Sequence, residues 1–433
     1  MGSFLFEDIS MVDHRGTAFD HRWVGVSEGR IDYIGDHAPS GSYDERYDGS
    51  GKLLMPGLYN AHAHVPMTLL RGRGENLPLD RWLNEAIFPF EDLIEDSDAY
   101  YASLLGIAEM LRFGVVSFSD MYYHSDARAR AIIESGIKCN LGDSVICFDP
   151  DASYGDLPHA SLNERLVREY HGAADGRLLV DYNLHAEYTS TERVVRTLAE
   201  ATLDQGLRMQ VHVSETSSEV AACKERHDGK TPVRYLADCG LFDAPTTAAH
   251  CVWLEEGDFA ILAEKGVFVV TCPASNAKLG SGIADVAAMR AAGVNVALGT
   301  DGVASNNNHN MFSDMYLLAL MQRAGDCTPV GLSAEDVIHA STRCGALSQG
   351  RTDCGCIEEG CRADLVVLDI DTPWMQPLGS AASNLVYSAQ GSDVVLTMVD
   401  GSVAYRDGAY PTIDVERAQY ETCRARDAIL AKL

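Results

Sequence analysis

Basic side chains are scarce: the 433-residue chain has 34 Lys and Arg against 63 Asp and Glu, a formal net charge of -29. A field of that sign repels phosphate backbones and anionic lipid, so nucleic acid is not an expected partner. No apolar run approaches the length of a membrane span, and no membrane partner is expected. No basic, apolar leader is expected, since Glu7 and Asp8 fall early, and Phe6 stands where a myristoylation pattern after Met1-Gly2-Ser3 wants Ser or Thr. The twelve cysteines then read as thiols of a reducing cytoplasm. Solenoid repeats and low-complexity tracts are absent, which excludes array architectures.

What is present fits a globular protein. Apolar residues make up 46% and charged residues 22%, and the length holds a barrel with an accessory domain. Residues 1 to about 55 alternate apolar and polar (Phe4, Phe6, Ile9; Trp23, Val24, Val26; Ile31, Tyr33, Ile34), broken by Gly16, Gly29, Gly35 and Gly41. That pattern predicts a small antiparallel sheet. From Leu53 onward, short apolar strands alternate with longer segments of helical period. Eight strands are expected, at Leu53 to His64, Val115 to Met121, Cys139 to Ile146, Leu178 to Ala186, Met209 to Glu215, Thr247 to Cys251, Val267 to Pro273 and Val294 to Asp301. Helical segments such as Ala99 to Phe113, Ser190 to Gln205, Glu255 to Lys265 and Asp285 to Ala292 separate them. A last helix near Ala334 to Ser348 precedes a return to strand chemistry at 363–368 and 394–399. The expectation is an α/β fold: a TIM-type (β/α)8 barrel over 57–350, with a small β-sandwich domain built from 1–56 and 351–433, the latter ending in a helix.

Active sites of such barrels lie at the C-terminal ends of the strands. Polar residues at those ends are His62, His64, Asp120, Asp143, His185, His212, Glu215, His250 and Asp301. In an extended strand residues i and i+2 share a side, so His62 and His64 converge. With His212 and Asp301 they suit one catalytic zinc: three neutral nitrogens, a carboxylate and a place for water. Glu215, three residues after His212, is placed to carry protons rather than to bind the ion. His250 is placed to steady a hydroxide or a developing anion.

His62-Ala63-His64, His212-Val213-Ser214-Glu215, Ala249-His250-Cys251 and Gly299-Thr300-Asp301-Gly302 resemble the motifs of the amidohydrolase superfamily over nearly the whole chain. Met67-Thr68-Leu69-Leu70-Arg71-Gly72, Cys272-Pro273-Ala274-Ser275-Asn276 and Ala304-Ser305-Asn306-Asn307-Asn308 are similar to the methylthioadenosine and S-adenosylhomocysteine deaminases, a branch shared with triazine hydrolases. The resemblance implies one metal on His62, His64, His212 and Asp301, with zinc expected and Fe2+, Ni2+ or Mn2+ as alternatives. It also implies a mechanism: hydroxide attacks the amino-bearing ring carbon, Glu215 protonates the neighbouring ring nitrogen, and Asp301 passes a proton to departing ammonia. His185 matches a substrate-contacting histidine of this branch. Trp82 and Glu91 match positions that pack on a nucleoside and accept hydrogen bonds from its ribose; the alternative for that stretch is a lid helix with a buried Trp and an exposed carboxylate. No lysine stands in Asp181 to Glu187, which disfavours the dinuclear cyclic amidases that carry a carboxylated lysine there.

The substrate expected from this resemblance is an adenine nucleoside with a small or neutral 5′ group: adenosine, 5′-deoxyadenosine or methylthioadenosine. Family members that hold a homocysteine carboxylate carry arginine after the third strand, where this chain reads Leu141-Gly142-Asp143-Ser144. Asp143 is accordingly expected to line the pocket and repel that carboxylate, unless Arg128, Arg130 or Arg165 reaches in from another loop. Deamination or dechlorination of another ring (guanine, a pterin, a triazine) is the runner-up, and a non-catalytic barrel is the reading from a different class. Cys354, Cys356 and Cys361 are spaced poorly for a second zinc and read as small thiols beside a sheet. His309, after the asparagine triplet, is the one other histidine expected near the metal. Assembly as a homo-oligomer is expected.

Overall fold

Two hydrogen-bonding periodicities divide this chain between two sheets, and the point of division is a glycine. The computed structural model describes residues 2–325 and 331–433. Its strands, in chain order, are β1 Phe4–Val12, β2 Ala18–Ser27, β3 Arg30–Gly35, β4 Glu45–Asp48, β5 Lys52–Pro56, β6 Leu58–Ala63, β7 Val115–Tyr122, β8 Lys138–Val145 and β9 Leu178–Val180. They continue as β10 Tyr182–Ala186, β11 Met209–Val213, β12 Thr246–His250, β13 Phe268–Thr271, β14 Asn295–Leu298, β15 Leu365–Asp369, β16 Val394–Val399 and β17 Ser402–Arg406.

The accessory sheet runs β17-β16-β15-β5-β1-β2-β3, with β4 beside β1. Its stitch is β5, parallel to β1 on one edge and antiparallel to β15 on the other. Inward side chains of the N-terminal half (Phe4, Phe6, Val24) and of the C-terminal half (Leu365, Val367, Leu396) share one buried cluster, as in a small sandwich. The second sheet is the parallel barrel β6-β7-β8-β10-β11-β12-β13-β14. β14 and β6 meet through the Thr300 amide on Asn60 Oδ1 at 2.9 Å and the Asp301 amide on the His62 carbonyl at 3.0 Å. The last helix, Val415–Leu430, buries Ala425 and Ile429 with Ala99 and Ala102 of helix Asp96–Arg112. Among the described residues, no helix is long and apolar enough to cross a membrane.

Several boundaries differ from those read in the sequence. The first expected strand is two: at Gly57 the chain leaves β5 for β6, its amide donating to the Asp364 carbonyl at 2.8 Å. A Cβ at Gly57 would collide with Val116, so only glycine fits the crossing. The expected strand Leu178 to Ala186 breaks at Asp181, whose carboxylate accepts from Asn140 Nδ2 at 3.0 Å and Gln210 Nε2 at 3.1 Å inside the barrel. The helix expected at Ala334 to Ser348 passes through a wide turn over Ala340–Cys344.

Where the two sheets meet, a buried charge cluster joins them. Lys138 Nζ donates to Asp364 at 2.5 Å and to Cys354 Sγ at 3.5 Å, and lies 2.8 Å from Asp400 Oδ1 at an angle unsuited to a hydrogen bond. The Tyr59 hydroxyl also donates to Asp364. Lys138 comes from the barrel and both aspartates from the C-terminal segments, so the cluster is a covalently distant clamp. Removing one partner leaves an uncompensated buried charge, at a cost of about 3 to 5 kcal/mol. Lys138→Ala should therefore lower the urea midpoint substantially, and an unchanged midpoint would show that the cluster does not tie the sheets.

Candidate active site

Strand ends deliver the donors. His62 lies in β6 and His64 just beyond it, His212 in β11, His250 at the end of β12, and Asp301 after β14. His62 Nε2 and His64 Nε2 stand 3.6 and 3.2 Å from Asp301 Oδ1, and His212 Nε2 is 3.3 Å from His64 Nε2. Two overlapping triads, His62–His64–Asp301 and His62–His212–His250, each hold their donor atoms within 4.8 Å. Ser214, His250 and Asp301 adopt φ of 50, 71 and 60°. Such left-handed backbone in non-glycine residues costs roughly 1 to 3 kcal/mol each and is concentrated at functional sites.

The outward ring nitrogens are tied down. His64 Nδ1–H donates to the Met121 carbonyl, His212 Nδ1–H to the His185 carbonyl at 2.7 Å, and His250 Nδ1–H to Asn276 Oδ1 at 2.9 Å. In the neutral form of each ring this bond leaves the Nε2 lone pair facing the cluster. Burial holds His62 and His212 well below the ordinary histidine pKa, the charge of neighbouring imidazoles adding to it. For His64 burial acts the same way, but the hydrogen bond and charge of Asp301 outweigh it and raise the pKa. Burial would raise Asp301, yet its hydrogen bond to His64 and the surrounding histidine charges hold it well below the carboxylate range. Ser275 and Ser305 hydroxyls donate to Asp301 Oδ2 at 2.6 and 3.1 Å, and the Gly302 amide to Oδ1 at 2.8 Å.

One atom is left over. His62 Nε2 is buried with no hydrogen-bond partner among the described residues. An orphaned buried polar atom costs about 1 to 3 kcal/mol, and a cation shared with His64, His212 and Asp301 would satisfy it. Neutral imidazoles and one carboxylate are a donor set suited to a borderline divalent ion. The residues present therefore fit a metal.

Glu215 faces the same space. Ser281 Oγ donates to its Oε1 at 3.1 Å, His250 Nε2 lies 3.9 Å from its Oε2, and burial raises its pKa. Its own amide and that of Ser214 donate to the buried Glu219 carboxylate at 2.7 and 2.9 Å, which fixes the turn leaving β11. Above them opens a cavity lined by His64, His185, His212, Glu215, His250 and Asp301 and by an apolar wall that includes Met67, Trp82, Leu83, Phe88 and Leu279. Trp82 and Glu91 come from a helical run over 79–91 whose Phe88 amide bonds the Leu83 carbonyl, a wide turn of the kind common at functional sites. The Tyr122 hydroxyl donates to Glu91 Oε1 at 2.6 Å, and burial raises the Glu91 pKa. His185 forms part of the wall, its Nδ1 3.0 Å from Thr189 Oγ1, with burial pulling its pKa down to about 4.

Asp143 is elsewhere, contrary to its expected place in the pocket. Its neighbour Ser144 lines the cavity, while the Asp143 carboxylate accepts from His159 Nδ1 at 2.5 Å and Ser125 Oγ at 3.5 Å. Adjacent strand residues face opposite sides, and the pocket side belongs to Ser144. The arginines are engaged elsewhere too: Arg128 with Asp120 at 2.8 Å, Arg165 with Asp126 at 2.7 Å, and Arg130 over the Tyr100 ring. No Lys or Arg is among the described residues lining the cavity. His309 is buried against Thr300 Oγ1 at 3.0 Å, outside the cavity lining. Tyr122, Ser281, Asn276 and Glu219 were not singled out from the sequence. Ser275, Asn276 and Ser305 do fall in the quoted family motifs, which was the available signal; the others offered none.

The Amidohydrolase family profile matches residues 53–404. A 5′-deoxyadenosine deaminase of Methanothermobacter thermautotrophicus is 41% identical over 90% of this chain and 91% of its own length. A 5-methylthioadenosine/S-adenosylhomocysteine deaminase of Moorella thermoacetica is 39% identical over 96% and 97%. Among solved structures, an adenosine deaminase from Xanthomonas campestris with bound zinc superposes with a TM-score of 0.93 at 30% identity, covering 99% of this chain and 98% of that one. An atrazine chlorohydrolase from Arthrobacter aurescens shares the fold, with a TM-score of 0.90 at 21% identity over 98% and 100%. With its ordered strand-end donors, closed barrel and a family match over most of its length, the chain belongs to the amidohydrolase family and is a hydrolase of carbon–nitrogen bonds.

Proposed function

We propose that this protein is a metal-dependent deaminase of adenine nucleosides carrying a small or neutral 5′ group, releasing ammonia and the inosine analogue. The observation that carries the reading is that one cavity holds the donor cluster, Glu215 and Glu91 together, with no cation among its lining residues. Support comes from relatives named for 5′-deoxyadenosine and methylthioadenosine/S-adenosylhomocysteine deamination and from a zinc-bearing structural relative.

In this reading His62, His64, His212 and Asp301 hold the ion, with zinc favoured. Such an ion lowers the pKa of water to roughly 7, which makes hydroxide available at neutral pH. The chain's own groups do the rest. Glu215, raised by burial and held by Ser281, keeps a proton to deliver to the ring nitrogen beside the amino-bearing carbon. His250, oriented by Asn276, presents Nε2 to the attacking oxygen. Asp301, ionised and restrained by two serine hydroxyls, would take a proton from the attacking water and pass it to the leaving ammonia. Trp82 packs on the nucleoside, His185 contacts it, and Glu91 accepts the ribose hydroxyls, with Tyr122 fixing one of its oxygens. Each charge-assisted bond of that kind is worth about 1.5 to 3 kcal/mol, so free adenine lacks much of the binding energy.

Selectivity among nucleosides follows from the missing cation. An S-adenosylhomocysteine carboxylate meets no Arg or Lys in the cavity wall and stays in water or loses affinity.

Three measurements test the proposal. Activity restored to chelated protein by zinc should saturate at one equivalent per chain, and a requirement for two would sink the single-ion site. Glu215→Gln should lower turnover by roughly a hundred- to ten-thousand-fold with metal content unchanged; loss of the metal would mean that Glu215 is a ligand. Comparison of kcat/KM should rank 5′-deoxyadenosine, adenosine and methylthioadenosine above S-adenosylhomocysteine and far above adenine, whereas a preference for S-adenosylhomocysteine would overturn the substrate assignment.

A further inference from the structure

Beyond the cavity, the most unusual approach of reactive groups is between two sulfurs. Cys356 and Cys361 lie on the loop that leads from the barrel to β15, and neither lines the cavity. Their Sγ atoms are 2.8 Å apart. That is beyond the about 2.05 Å of an S–S bond, yet close enough that modest rotation of either side chain would close one.

The backbone holds the pair in this position. Cys361 N donates to the Glu358 carbonyl at 3.1 Å, and Gly360 at φ 86° makes the turn that folds Cys361 back over Cys356. The turn is fastened to the accessory sheet: Ile31 N donates to the Cys361 carbonyl at 2.9 Å, Gly360 N to the Ile31 carbonyl at 2.8 Å, and Arg30 Nη1 to the Gly360 carbonyl at 2.7 Å. The two thiols differ in access, with Cys356 buried and Cys361 partly exposed. Burial and the neighbouring Cys361 sulfur push the Cys356 thiol up, so it keeps its proton and can donate it to a Cys361 thiolate. A metal is disfavoured at this pair because cations already stand beside it: Arg343 Nη1 is 4.0 Å from Cys356 Sγ, and Arg15 is 3.7 Å from Glu358, the nearest carboxylate donor.

We propose that Cys356 and Cys361 are a reversible thiol–disulfide pair that exchanges with small-molecule disulfides such as oxidised glutathione. The Cys361 thiolate attacks one sulfur of the small disulfide, whose S–S bond breaks and releases one thiolate, which takes up a proton. Cys356 then loses its proton and attacks the Cys361 sulfur, expelling the second small thiol. Two protein thiols are oxidised and one small disulfide is reduced to two thiols. The product bond closes the 356–361 turn where Ile31 and Arg30 of the accessory sheet bind it, so oxidation locks that turn onto the sheet.

The test uses the full chain with its one exposed described thiol removed, Cys423→Ser. After incubation with oxidised glutathione, alkylation and trypsin, the peptide Thr352–Arg362 carries Cys354, Cys356 and Cys361 together. Fragmentation should find Cys354 alkylated and the other two linked, with dithiothreitol restoring all three alkylations. Adding Cys356→Ser should trap Cys361 as its glutathione adduct. The linked form should melt roughly 2 to 5 °C higher than the reduced form. Alkylation of both Cys356 and Cys361 after oxidation, a link through Cys354, or arrest at the glutathione adduct with Cys356 present would overturn the pair. Equal melting of the linked and reduced forms would overturn the lock.

Discussion

The site depends on carbonyl oxygens that the barrel does not use. Where a parallel strand ends, its last carbonyls lose their ladder partners, and two of these, at Met121 and His185, each receive an imidazole Nδ1–H from the neighbouring strand. A side-chain amide, Asn276, does the same for His250. The consequence is tautomeric. Each ring is left with its lone pair aimed at a common point, before any ligand arrives. Among those buried rings the Asp301 carboxylate is kept ionised by His64 and the neighbouring imidazoles, while the serine hydroxyls and the Gly302 amide hold it in place.

Much of this was legible in the sequence, and the reason is geometric. The period of two in His62-Ala63-His64 and the recurrence of histidine at strand ends survive any uncertainty in loop conformation, because the ends of one barrel face one way. What was not legible depends on parity or on distant partners. Asp143 and Ser144 differ by one residue and therefore by a full reversal of direction, and the composition of Leu141-Gly142-Asp143-Ser144 does not say which faces in. Ser281 and Tyr122 reach Glu215 and Glu91 from segments far away in the chain, so no local pattern marks them. The division at Gly57 was hidden because two apolar strands separated by a single glycine read as one.

The substrate wall obeys a different logic from the metal end. Around the donors nearly every polar atom has an assigned partner, whereas the cavity above is mostly apolar, with Glu91 among its lining residues. That contrast separates chemistry from selection: the buried end fixes what reaction is possible, and the open end fixes which molecule is held long enough to undergo it.

The stitching of the accessory sheet carries a consequence for how the chain matures. β5 can pair with β1 once both are made, but its other edge waits for β15, which follows the entire barrel in synthesis. Until then Leu53, Leu54 and Met55 present an unpaired, apolar strand edge, the kind of surface that invites pairing with another chain. The nascent protein is thus most vulnerable to misassembly when its barrel is nearly finished, and its last strands act as an internal protecting group that removes the hazard on release.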